Sequence, residues 1–272
     1  MHLSNGFISA LSLPLLLLSP ATHAAPFEND VQPIVPERLH APQLHVQTEA
    51  ILNRPPVEGK PAPFSHLTLP AHLRPSRYES AVLGRRLLAL SKTGVLTTVF
   101  PENITSERTP SDVAQTPIGL PEYIASCEEP SGNPTVLSLT ISTSTLNAEA
   151  GSNVSLSLSW WDEYVHLTHH QPWSTANLPR LSLVGYLEEI PQQEAKKKDI
   201  PACFTRVHGD SVMWLPGKKW AAHEGLWTRI VVKEVYWIGG FGDRNYIGWL
   251  DPEEWHAVTA EEWQKVKLPG EK

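Results

Sequence analysis

Asn153-Val154-Ser155-Leu156-Ser157-Leu158-Ser159-Trp160-Trp161 alternates apolar and small polar residues at nearly every step. A period of two is that of a β-strand with one face on a core and the other polar. Thr135 to Ser142 repeats the pattern, with Leu137, Leu139 and Ile141 alternating with Ser138, Thr140 and Ser142. These two segments fix the class of structure around which the rest of the chain is read.

Upstream, Ser76 and Glu79 have capping-box spacing, and Leu83, Leu87 and Leu90 follow on one helical face. This predicts an amphipathic helix, with Gly94 as its stop. Gly94 to Phe100 and Ile118 to Ser126 are further strand candidates; downstream come Arg180 to Glu188 and a long strand over Arg229 to Ile238. Between those two, Asp199 and Pro201 start a short helix that turns Cys203, Phe204 and Val207 inward. Six strands with inserted helices, without alternating βα units, predict a mainly β (α+β) domain over 76–272: a six-stranded β-barrel with helical additions.

The chain opens with an apolar stretch, Phe7 to Leu18, followed by the small residues Ala21-Thr22-His23-Ala24-Ala25. That is the pattern of a signal peptide over 1–25, too short for a membrane span, and it predicts secretion. From 26 to 75 prolines recur every few residues without apolar periodicity, as in a disordered leader or linker. A net charge of −7 and a pI near 5.9 disfavour nucleic acid or an anionic membrane as partner. The run Lys196-Lys197-Lys198 reads as a solvated helix face. Asn103-Ile104-Thr105 and Asn153-Val154-Ser155 are glycosylation sequons, whereas Pro134 excludes Asn133. Cys127 and Cys203 are the two cysteines. In an oxidising compartment they either pair or stand apart as buried thiols, and nothing in the spacing decides. No cysteine or histidine spacing for zinc is present.

Three stretches together resemble one known family: Pro179-Arg180-Leu181-Ser182-Leu183-Val184-Gly185-Tyr186-Leu187-Glu188, Phe204-Thr205-Arg206-Val207-His208, and Ile238-Gly239-Gly240-Phe241-Gly242 with the later Trp249. They are similar, in order, to the pyridoxamine 5'-phosphate oxidase-like FMN-binding split barrels, in particular the CREG-type secreted glycoproteins. The glycine-rich stretch is also similar to HugZ-type haem-utilisation proteins. Thr93-Gly94-Val95-Leu96-Thr97-Thr98 and Asp251-Pro252-Glu253-Glu254-Trp255 fit the CREG pattern, so the resemblance runs from Arg77 to Val258. It implies a six-stranded split barrel that forms a homodimer, with FMN, in members that hold it, at the dimer interface.

An FMN phosphate needs cations, because charge-assisted hydrogen bonds are the strong ones. From Thr109 to Pro179 there is no Lys or Arg. The residues left for a cofactor are Thr97, Thr98, Ser142, Arg180, Arg206 and His208, with the neighbouring hydroxyls of Ser138, Thr140, Thr143, Ser144 and Thr145. The expectation is therefore a non-enzymatic CREG-like glycoprotein without cofactor or metal, binding a protein or glycan receptor. The alternatives are an FMN-dependent oxidoreductase and, third, a haem-binding protein. His166, His169 and His170 lie near Asp162 and Glu163, but no motif makes them ligands, and an exposed loop is the plainer reading. Gly239-Gly240-Phe241-Gly242 lacks the third glycine of a dinucleotide fingerprint and reads as a tight turn with Phe241 packed. The ten tryptophans read as core or interface anchors.

Overall fold

A computed structural model of the chain describes residues 74–218, 221 and 223–272. The signal peptide and all but the last two residues of the Pro-rich segment lie outside the described residues. Helix α1, Arg77–Leu90, starts where the capping box places it: the Ser76 hydroxyl accepts from the Glu79 amide at 3.2 Å, and the Ser76 amide donates to the Glu79 carboxylate at 2.7 Å. It ends at Leu90, with Ser91 extended, rather than at Gly94. Gly94 belongs to the next strand, β1, Thr93–Val99.

The other strands are β2, Pro117–Ala125; β3, Thr135–Leu139; β4, Val154–Ser159; β5, Arg180–Glu189; β6, Gly225–Ile238; and β7, Ile247–Leu250. Their order is β3-β2-β1-β4-β5-β6-β7, every pairing is antiparallel, and β3 also pairs with β6. That last pairing closes a six-stranded barrel, which removes the free edges of an open sheet; β7 is appended to β6. The apolar half of β1, β4, β5 and β6 points inward: Leu96, Leu156, Leu158, Leu183, Ile230 and Val235 are buried in one core with Trp160, Trp237 and Trp255. β3 departs from its expected alternation: Val136 lies in this core and Ser138 is buried with it, bonded to Thr228 at 2.8 Å, whereas Leu137 packs in a second core outside the wall and Ile141 is 58% exposed, because helices cover the outer face of this strand. Each such side chain contributes about 1.5–3 kcal/mol by leaving water. At Gly185, where the β5–β6 register shifts, a Cβ would stand 1.9 Å from the Val231 carbonyl oxygen, so only glycine lets the two strands approach there.

A second, smaller core packs helices α4, Gln192–Lys197, and α5, Ile200–Val207, on the barrel through Ala195, Ile200, Phe204 and Trp227. Cys127 and Cys203 are joined in a disulfide, with their Cα atoms 5.8 Å apart, which pins α5 to the chain leaving β2. Phe204 is fully buried, but Val207 is 38% exposed and does not turn inward as its spacing predicts. Lys198 likewise is no simple solvated charge. It reaches Glu128 at 2.8 Å and Glu194 at 2.9 Å, and Arg229 meets the same buried Glu128 at 3.0 Å.

Two more differences concern boundaries. The third strand stops at Leu139, because Ser142 turns to cap helix α2, Thr143–Glu149, accepting from the Thr145 amide at 3.3 Å. Short hydroxyl side chains compete with sheet bonding in this way. The sixth strand begins four residues earlier than its β-branched run suggests, at Gly225. The Gly239-Gly240-Phe241-Gly242 stretch is the turn between β6 and β7: Gly240 has φ +138°, and Phe241 packs 5.4 Å from Trp173. Helix α3, Trp161–Thr168, follows β4 directly, and α6, Pro252–Ala257, and α7, Ala260–Lys265, close the chain against α1.

Candidate functional site

The polar halves of β1, β4 and β5 assemble on the outside of the barrel. Thr97 of β1 stands opposite Ser155 of β4, and Ser157 of β4 opposite Ser182 of β5. The hydroxyls of Ser155 and Ser182 bond at 2.6 Å, while Val95, two residues before Thr97 on the same face, is 42% exposed. Two adjoining cavities, of about 330 and 410 Å³, run over this face and share Val95, Ser157 and Ser159 as floor. Trp161, Arg180 and Tyr236 wall the first; Lys92, Asp162 and Glu163 wall the second. The Trp161 side wall exists because α3 starts immediately after β4, which folds its first residue back over the strand that precedes it.

The predicted cofactor residues are not gathered at one place. Thr97 and Arg180 lie on the outer face, but the Arg180 Nη1 donates to the carbonyls of Ala176, at 3.2 Å, and Leu178, at 3.4 Å, and its guanidinium lies 5.8 Å from the Trp161 ring. Thr98 points inward, 1% exposed, and accepts from Asn147 Nδ2 at 3.0 Å. Ser142 is a helix cap, and Arg206 is exposed on α5. His208 is buried against β2: its Nε2 is 2.8 Å from the Ile124 carbonyl oxygen, and its ring stacks on Tyr123 at 4.3 Å. His208 is thus a wedge between α5 and the barrel, tied to backbone, and does not face the outer groove. A flavin phosphate asks for several convergent cations; among the described residues the groove is lined by two, Lys92 and Arg180, and the second is already engaged. The donor set of the groove does not fit FMN.

His166, His169 and His170 fall at the end of α3 rather than in a plain loop, with His169 as its left-handed cap at φ +58°. All three are exposed, and among the described residues no three His, Cys, Asp or Glu side chains are placed to hold a metal. Trp161, Tyr236, Lys92, Ser157, Ser159 and Ser182 line the groove, and the sequence does not single out any of them for this role. The signal for Trp161 is its doublet with Trp160: the alternation puts Trp160 in the core, so Trp161 must emerge.

Inside the barrel end, Glu122 of β2 accepts from the Ser144 hydroxyl of α2 at 2.8 Å. Burial raises the Glu122 carboxyl above its ordinary range, and the Ser144 bond offsets this only in part. A carboxylate with a raised folded-state pKa opposes folding when ionised, so its cost appears as pH rises through the folded pKa and vanishes below the unfolded one. Glu122→Gln is therefore expected to melt higher than the parent at pH 7, with the gap closing as pH falls toward 4, where thermal melts at a pH series would read it; a constant gap would show another cause.

The CREG, beta-barrel family profile matches residues 75–257. A closed six-stranded antiparallel barrel with a helix before its first strand is the split-barrel class, and the chain belongs to the CREG beta-barrel family. Among solved structures, it is similar to a heme binding protein from Mycobacterium smegmatis at 17% identity, covering 69% of this chain and 62% of that one with a TM-score of 0.49. It thus spans 62% of the length of that structure. It is also similar to HutZ, the heme storage protein from Vibrio cholerae, at 14% identity over 61% of this chain and 98% of that one, with a TM-score of 0.39. No curated protein sequence matches the chain.

Proposed function

We propose that this CREG-family chain is a secreted glycoprotein that works as a homodimer by binding a protein or glycan receptor rather than by catalysis, with sugar on Asn103 and Asn153. The observation that carries the non-catalytic reading is the lining of the outer groove, where hydroxyls, carboxylates and an aromatic wall stand in place of the cations a flavin phosphate requires. Both sequon asparagines are exposed, one in the loop after β1 and one at the start of β4. Among the described residues no helix is long and apolar enough to cross a membrane.

Native mass spectrometry and visible absorbance of the protein secreted by a eukaryotic host test this reading. The expected result is a chain cut near Ala25, glycan mass on both asparagines, twice the chain mass by light scattering, and no flavin bands. A stoichiometric flavin would overturn it in favour of an FMN-dependent oxidoreductase, and a Soret band on haemin titration in favour of a haem-binding protein.

A further inference from the structure

Asn153 is the exposed residue immediately before β4, whose serines alternate with core residues. Val154, Leu156 and Leu158 point into the core and Ser155, Ser157 and Ser159 outward, while Asn153, exposed, immediately precedes the strand. At about 3.3 Å per strand residue, Asn153 stands about 13 Å from Ser157 and about 20 Å from Ser159 along one surface. The attachment point of a glycan and the outer groove are therefore two ends of the same strip.

The groove has the chemistry of a carbohydrate site. Its floor offers the hydroxyls of Ser157, Ser159 and Ser182; its walls offer the Trp161 ring, the Tyr236 side chain and the carboxylates of Asp162 and Glu163. A sugar presents hydroxyls that donate and accept together with C–H faces that pack on aromatic rings, and carboxylates and serine hydroxyls are acceptors and donors for it. The same lining, short of convergent cations, is unsuited to a phosphate. A neutral polyhydroxyl ligand matches it, and the nearest one is tethered to the chain itself. Tethering converts docking into an intramolecular event at high effective concentration, so a weak sugar site suffices.

We propose that the N-glycan on Asn153 folds down β4 and seats in the groove between Trp161 and Ser157, covering this face of the barrel. The inference rests on glycosylation of Asn153, part of the function proposed above. The seated sugar is protected from enzymes that must engulf it, and it leaves the groove closed to other ligands.

Endoglycosidase trimming of the secreted glycoprotein, followed site by site by peptide mass spectrometry, tests this. In the folded protein the Asn153 glycan is expected to be trimmed at least about tenfold more slowly than in the denatured, alkylated chain, the protection given when about one molecule in ten has its sugar undocked. Asn103, in the exposed loop, is expected to show a much smaller ratio. Trp161→Ala and, independently, Ser157→Gln, both at exposed positions, are expected to remove the protection at Asn153 while leaving Asn103 unchanged. Equal rates in folded and denatured protein, or protection that survives both substitutions, would overturn the seating alone. Finding no sugar on Asn153 would overturn both this inference and the glycoprotein reading at that site.

Discussion

Replacing both Cys127 and Cys203 by serine is expected to lower the stability of the domain by about 4 kcal/mol, the chain-entropy value for a loop of this length. The bond spans a sequence separation of 76 residues, so the loop it closes takes in β3, β4 and β5. Without it, α5 is held by the small core around Phe204 and Trp227 and by the His208 contact with the Ile124 carbonyl. For a domain of this size the loss corresponds to a melting temperature lower by roughly 10 °C. Reducing agent should reproduce it in the parent protein and change nothing in the double variant. A drop of less than about 2 °C would mean that the packing of α5 alone holds this end of the barrel.

Arg85→Ala is the other large effect, expected to cost about 3–5 kcal/mol, as breaking a buried ion pair by removing one partner does. Arg85 lies on the core side of α1 and is fully buried. Its Nη1 donates to the carbonyls of Trp255, at 2.9 Å, and Val258, at 3.1 Å, and its Nη2 pairs with Glu129. The guanidinium also lies over the Trp255 ring, 5.5 Å from its centroid. One side chain thus joins the first helix, the loop before β3 and the helix that ends the family domain. Alanine takes this donor from two buried carbonyls and leaves the partly exposed Glu129 carboxylate with the Ser126 hydroxyl at 2.9 Å in place of the guanidinium. Lysine should not rescue it, since one ammonium lacks the planar fork that serves three acceptors. The midpoint of urea unfolding measures the loss; a value under about 1 kcal/mol would contradict the clamp.

These two positions also show how far the sequence could be read. The alternation in Val154–Ser159 and the capping box at Ser76 are local: neighbours within a few residues dictate them, and the structure keeps them. In Thr135–Leu139 the strand forms but its alternation does not set the faces, since Ser138 is buried and Leu137 packs in the second core under the helices. The amphipathic face of α1 is legible for the same reason, but Arg85 on that face is not. A charged residue at a core position becomes intelligible only when its acceptors, 44 to 173 residues away, are in place. Lys198 and Val207 fail in the same way, one drawn to the buried Glu128 and the other left outside by the course of α5.

The candidate site divides along the same line. Composition and the cation-free stretch from Thr109 to Pro179 argue against a phosphate site there; the structure adds that the groove is lined by Lys92 and by an Arg180 already bonded to backbone carbonyls. The strand period already places Thr97 and Thr98 on opposite sides of the barrel wall; sequence alone could not say which partners each would meet. Thr98 is paid for by Asn147 of α2, whereas Thr97 joins the serine strip of β4 and β5. Nor could it choose between a disulfide and two buried thiols, because whether two sulfur atoms meet depends on how the barrel closes.

By itself, then, the sequence determined six of the seven strands, the leading helix, the family and the poverty of cations between Thr109 and Pro179, since each of these is written in residue types and spacings of a few positions. Only the tertiary structure decided the closure of β3 on β6, the Cys127–Cys203 bond, the Arg85 clamp and the gathering of Trp161, Ser157 and Ser182 into one groove. Those depend on contacts between residues far apart in the chain, whose geometry no local pattern contains.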